Sequence, residues 1–146
     1  MAQTGFEAFA VERMKQAGHR VTVPRVRVIR TLSQAQRPKT AYGIHQEIVA
    51  SGGKVDVVSV YRILQTLSDL GLVHHIGIVD GYMACRLQDS HEEECEHVVC
   101  SECGKVTELT MPESILDTTH QQLHGLGFAP KQTRIEILAV CPECAS

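Results

Sequence analysis

Two cysteine pairs, Cys100-x-x-Cys103 and Cys141-x-x-Cys144, constrain this chain more than any other feature. Two thiolates spaced by two residues can face one ion, and two such pairs complete a tetrahedral site of four sulfurs with no vacant position. Soft donors in a closed shell favour zinc, and a closed shell leaves no position for catalysis, so the expected role is structural: fastening the last strand to its domain. The competing use of paired cysteines, a redox-active dithiol, requires a thioredoxin-like βαβ setting, and the flanking sequence supplies none.

The remaining two cysteines, Cys85 and Cys95, also lie in the second half of the chain. The start, MAQTGFEAFAVERMKQAG, lacks the basic and then apolar stretch of an export signal. No apolar run approaches the roughly 20 residues of a membrane helix. The chain therefore reads as cytoplasmic, where thiols stay reduced and bind metal rather than form disulfides. A length of 146 residues with 43% hydrophobic content suffices for one or two small domains and excludes intrinsic disorder. Charge is unevenly divided. Residues 1–84 hold ten Lys/Arg and six Asp/Glu, a sum of +4, and residues 85–146 hold four and eleven, a sum of −7. The two halves are expected to serve different partners, the first an anionic polymer.

Periodicity in the first half predicts four helices. Phe6, Ala10, Met14 and Ala17 recur at helical spacing before Gly18. Thr22 is a cap candidate and Pro24 suits a first turn, ahead of Val26, Ile29 and Leu32. Thr40 caps a third segment through Ile44, Ile48 and Val49, ended by Gly52-Gly53. In the fourth, Val60, Ile63, Leu64, Leu67 and Leu70 share a face opposite polar residues that include Arg62 and Gln65. LVHHIGIV and YMACRLQ then flank Asp80-Gly81, a strong hairpin signal. Helices followed by a two-stranded wing spell a winged helix-turn-helix, whose fourth helix would enter a DNA major groove. The plainer alternative is a small helical domain that touches no nucleic acid.

Beyond residue 97, HVVC, KVTELT and RIEILAVC read as strands and Pro112 to Leu126 as a helix. The fold class is thus α+β, an N-terminal winged helix-turn-helix over 1–84, a hinge and metal-binding loop over 85–97, and a small α/β domain over 98–146. Ligand-type residues gather around that hinge. Cys95 and His97 lie two apart, on one side of a strand leading into Cys100, while His74 and Cys85 come from the wing. Together they form a mixed sulfur and nitrogen tetrahedron suited to zinc, with ligands from both halves of the chain. The alternative is an acidic, solvated loop.

In combination, Arg20-Val-Thr-Val-Pro-Arg25, Ser59-Val-Tyr-Arg-Ile-Leu-Gln-Thr-Leu67, Gly71-Leu72-Val73, Cys100-x-x-Cys103-Gly-Lys-Val106 and the second Cys pair resemble the ferric uptake regulator family of metal-responsive repressors. The resemblance runs over nearly the whole chain. It implies a homodimer bound to double-stranded operator DNA, a C-terminal dimerisation domain, a structural zinc on the two Cys pairs and a sensory metal at the hinge. Carried over, Tyr61 and Arg62 match the family's recognition-helix pair and Arg25 a backbone-contacting arginine, with Ser59 in the same run. Members that sense iron or peroxide take a histidine just before the third helix, where this chain has Pro38. Zinc-sensing members place a cysteine on the wing, matched by Cys85. The resemblance thus implies His74, Cys85, Cys95 and His97 as sensory ligands, with His91 and Glu108 as substitutes. A third site would need histidines at Glu94 and Glu96 and one near Thr133, and His120 and His124 read as surface residues.

The sequence is accordingly expected to encode a zinc-responsive, DNA-binding transcription regulator, usually a repressor of zinc uptake genes, with one structural and one regulatory Zn2+ per monomer. It is expected to have no membrane partner and no small-molecule substrate. An iron- or peroxide-sensing regulator of the same family is the alternative. From another class come a zinc-dependent hydrolase and a zinc-buffering module. Against the hydrolase, the cluster offers four ligands with no open position, and the chain has no nucleophile motif or Gly-rich phosphate loop.

Overall fold

The computed structural model describes residues 2–85 and 96–146. The chain forms two compact units, Met1–His91 and Glu92–Ser146.

The first unit opens with α1 (Ala2–Gln16), which buries Phe6, Ala10 and Met14 as their spacing requires. Gly18, at φ 80°, ends it in the left-handed region that only glycine enters without cost. α2 (Val23–Gln34) buries Val28, Ile29 and Leu32. Thr22 holds the N-cap position, yet its side chain makes no capping bond. The reason is local: Pro24, at the second helical position, has no N–H to donate. α3 (Ala41–Ala50) is capped as expected, with the Gly43 amide donating to Thr40 Oγ1 at 2.9 Å. Val49, grouped with the apolar face in the sequence, is half exposed, and Ala41, Ile44 and Ile48 carry that face instead. α4 (Val57–Asp69) buries Val60, Ile63, Leu64 and Leu67 and is capped by Asp56. These side chains converge in one core with the inner faces of α1 to α3.

β1 (Val73–Ile76) and β2 (Gly81–Ala84) pair antiparallel, with Ile76 opposite Gly81. The connection differs from a two-residue Asp-Gly turn. A single 3-10 turn, Gly77–Val79, precedes Asp80, which at φ 47° closes a four-residue loop, and Gly81 already belongs to β2. Gly81 is needed for space: a β-carbon there would collide with Pro38. Beside it, Lys39 and Tyr82 exchange backbone hydrogen bonds of 3.0 and 2.7 Å, which straps the segment before α3 to the wing.

In the second unit β3 (Glu96–Cys100) is the central strand. It pairs antiparallel with β4 (Val106–Leu109) and parallel with β5 (Glu136–Ala139). Parallel neighbours need a crossover, here supplied by α5 (Glu113–Gly125). β3 begins at Glu96, two residues inside the span read as hinge. α6 (Pro142–Ala145), a single turn not expected from the sequence, starts at Cys141 and carries Cys144.

Candidate metal centre and nucleic-acid interface

The end of β3 carries Cys100, and the tight turn into β4 returns Cys103 toward it, with the Gly104 amide donating to the Cys100 carbonyl at 2.9 Å. α6 does the same for the second pair. Its first turn brings the Cys144 amide to the Cys141 carbonyl at 3.0 Å. The register of β5 on β3 sets Ala139 opposite Cys100, two residues before Cys141, so the pairs meet at one end of the sheet.

The ligand atoms of Cys100, Cys103, Cys141 and Cys144 all lie within 4.8 Å of one another. The Cys103 and Cys141 sulfurs are 3.8 Å apart. A tetrahedron with Zn–S bonds of about 2.3 Å has edges of about 3.8 Å, so the thiols fit a zinc ion without rearrangement. Backbone amides of Cys103 and then Cys141 point at the Cys100 sulfur and bring its pKa down to about 6. The Cys141 amide donates to it at 3.3 Å. Cys144 is pushed up to about 12, because its proton is shared with the Cys141 and Cys103 sulfurs. Four sulfurs this close cannot all carry charge unless a cation joins them, and a divalent metal removes that conflict. Among the described residues this is the one group of three or more metal-ligating side chains that converges.

The other expected ligands are placed as follows. His74 lies on β1 opposite Met83, and Cys85 follows β2, its amide donating to the Leu72 carbonyl at 2.9 Å. Strand parity puts His74 and Cys85 on the same face of the wing, since Met83 and Cys85 are two apart. Cys85 is buried. His97, also buried, stands on β3 between Glu108 on β4 and Glu136 on β5. Cys95, His91 and Glu94 lie outside the described residues. Glu96 is buried and one of its carboxylate oxygens accepts the Met111 amide at 3.2 Å. His120, read as a surface residue, is half-buried, with Nε2 3.0 Å from Thr133 Oγ1, while His124 is exposed.

On the first unit, Asp56 sets the start of α4. Its Oδ1 accepts the Ser59 amide at 2.8 Å and its Oδ2 accepts the Ser59 hydroxyl at 2.7 Å. The Ser59 hydroxyl and then its amide hold the Asp56 carboxyl below the usual aspartate range. Outward from this cap, α4 exposes Val58, Tyr61, Arg62 and Gln65, a mixed apolar and cationic face. Beside it lies a groove of about 460 Å³, lined by Arg20, Arg25, Lys54 and Arg62 together with Asp56 and Ser59. Arg25 Nη1 donates to the Arg20 carbonyl at 2.6 Å. Arg25, Ser59 and Arg62 were legible in the sequence, and Arg20 and Lys54 were not singled out, because nothing in the chain announces that two separate loops meet.

The sequence profile of the ferric uptake regulator family matches residues 16–138. The chain belongs to this family. Its members are metal-responsive transcription regulators that bind DNA, and they are not enzymes, which sets the hydrolase reading aside. The ferric uptake regulation protein of Legionella pneumophila is 27% identical over 135 residues, 91% of this chain and 96% of that protein. The peroxide-responsive repressor PerR of Staphylococcus aureus (strain USA300) is also 27% identical, over 92% of this chain and 88% of its own. Among solved structures, a zinc uptake regulator complexed with zinc and DNA superposes with a TM-score of 0.85 at 26% identity, covering 99% of this chain and 96% of that one. Holo XcZur follows with a TM-score of 0.78 at 25% identity, covering 99% of each. No helix among the described residues is long and apolar enough to cross a membrane.

Proposed function

We propose that the protein is a zinc-responsive repressor that binds operator DNA as a zinc-loaded homodimer, with one structural zinc on Cys100, Cys103, Cys141 and Cys144 and one regulatory zinc per chain. The observation that carries the choice of metal is the Cys85 thiol, buried on the same face of the wing as His74, where a soft donor selects zinc over harder ions. His74, Cys85, Cys95 and His97 are the regulatory set, with His91 and Glu108 as substitutes. The likeness to two zinc uptake regulator structures supports the same reading. Zinc and DNA then stabilise each other's binding by linkage. Tyr61 and Arg62, exposed on α4, read base edges and Arg25 the backbone.

A second copy of the chain is the partner that the second unit calls for. β5 is an edge strand, and Leu138 and Val140 are about half exposed in the single chain, with Leu126 and Phe128 more open still. Surface of this kind is covered by association.

The competing reading within the family, an iron or peroxide sensor, is favoured by the curated relatives at 27% identity. The experiment that separates them is metal content per chain for wild type and Cys85→Ser, with DNA-binding anisotropy across buffered free zinc. Two zincs falling to one, with the zinc response lost, supports the proposal. Equal zinc content and equal DNA binding in both proteins overturns it, as does iron in the second site.

A further inference from the structure

Arg20, Arg25, Lys54 and Arg62 come from four separate places: the loop before α2, the first turn of α2, the loop before α4, and α4 itself. The fold brings them around one groove of about 460 Å³. Among the described residues, none of the four forms an ion pair with a carboxylate, although five ion pairs form elsewhere. The one acid in the groove, Asp56, has both oxygens turned to Ser59. Its charge therefore serves the cap of α4 rather than the four cations. Like charges gathered this closely repel, and the arrangement makes sense when an anion with several acceptor oxygens lies among them.

We propose that this groove seats the phosphate backbone of double-stranded DNA, with Arg20 and Lys54 as positioning contacts in addition to Arg25. The proposal rests on the DNA-binding reading above and extends it, since it separates two surfaces of the first unit. The exposed α4 face with Val58, Tyr61 and Gln65 meets bases, and the groove beside it sets the register of the helix on the duplex by holding a phosphate strand. Arg62 stands at their junction, as it belongs to both. Positive helix-terminus dipoles at α2 and α4 add to the same field. Lys54 is exposed, so its replacement leaves the core intact.

The test uses the zinc-loaded full chain, a duplex selected by that protein from a random pool, and a scrambled duplex, with affinity measured by anisotropy from low to high salt. Loss of a phosphate contact lowers the slope of log K against log salt by about 0.9 for each copy on the duplex. Lys54→Ala and Arg20→Ala are each expected to show that reduction and to weaken selected and scrambled duplexes by the same factor, while Lys54→Arg restores the slope. An unchanged slope, or a loss confined to the selected duplex, overturns the proposal, because the side chain then contacts no phosphate or reads a base. Circular dichroism and zinc content guard against a folding defect, with Lys54→Gln as the second variant. A wild type that binds neither duplex at any free zinc overturns the repressor reading itself, a result distinct from a normal wild type beside an unaltered Lys54→Ala.

Discussion

Gly81 and Pro38 approach so closely that a β-carbon on Gly81 would overlap the proline ring. The contact seats β2 against the segment before α3, where Lys39 and Tyr82 exchange their backbone hydrogen bonds. Gly81→Ala must push the wing away or strain the strap. Overpacking of this kind costs about 1–3 kcal/mol. Urea unfolding of the zinc-loaded protein should show that loss, and Gly5→Ala, with open space around its β-carbon, should show none of the overpacking.

Thr40 and Thr22 stand at equivalent positions before α3 and α2, but only Thr40 accepts a capping hydrogen bond. Thr40→Ala is therefore expected to cost about 1 kcal/mol. Thr22→Ala should leave the unfolding midpoint nearly unchanged, and equal losses from the two would contradict the assigned caps.

The carboxyl of Asp56 is held low by Ser59, so its ionised form is favoured in the folded state. A depressed pKa contributes stability that is complete above the unfolded value, near 3.9, and disappears as pH falls through the lower folded value. The stability gap between wild type and Asp56→Asn should be flat from pH 8 to 5 and shrink only in stronger acid. A gap that changes near neutrality would assign the effect to another group.

Cys100 is buried and accepts backbone N–H donors, whereas Cys144 is exposed on α6. Both ligate, but Cys100→Ser also disturbs the end of β3. The expected outcome is loss of one zinc per chain in either variant, with a larger loss of second-unit structure in Cys100→Ser, read by zinc assay and near-ultraviolet circular dichroism. A chelator strong enough to strip wild type should bring it to the same state.

Tyr61 and Arg62 project from α4 without serving the core. Tyr61→Ala and Arg62→Ala should each lower affinity for a selected duplex by at least about tenfold, at a cost per base contact of about 1–3 kcal/mol, and leave zinc content unchanged. Full DNA binding by both variants would revive the zinc-buffering reading.

Much of this molecule is written locally. The helices follow from apolar residues three and four apart, and their terminating glycines confirm the ends, because a helix face is decided within a dozen neighbours. The four-cysteine centre was legible for the same reason: each pair is local chemistry, and the tetrahedron needs only that the pairs meet. What escaped the sequence was settled at longer range. Asp80-Gly81 promised a two-residue turn, but the demand for contact with Pro38 placed Gly81 inside the strand. Thr22 looked like a cap and lost that role to Pro24. Lys54 carries no signal in its own surroundings, and its setting depends on the loop before α2 arriving beside it.

The pairing of β3 with β5 has a kinetic consequence. His97 meets Glu136, 39 positions later (97 to 136), and Cys100 meets Ala139, with β4 and α5 looped out between them. Such a pairing closes a long loop before any contact repays the lost chain entropy, so it belongs among the slow steps of folding. β3 and β4, by contrast, join through a short turn. Zinc captured first by Cys100 and Cys103 would wait on that closure, and its final two bonds would lock a strand that had already arrived. The ion then acts on the rate at which the second unit comes apart more than on the rate at which it assembles.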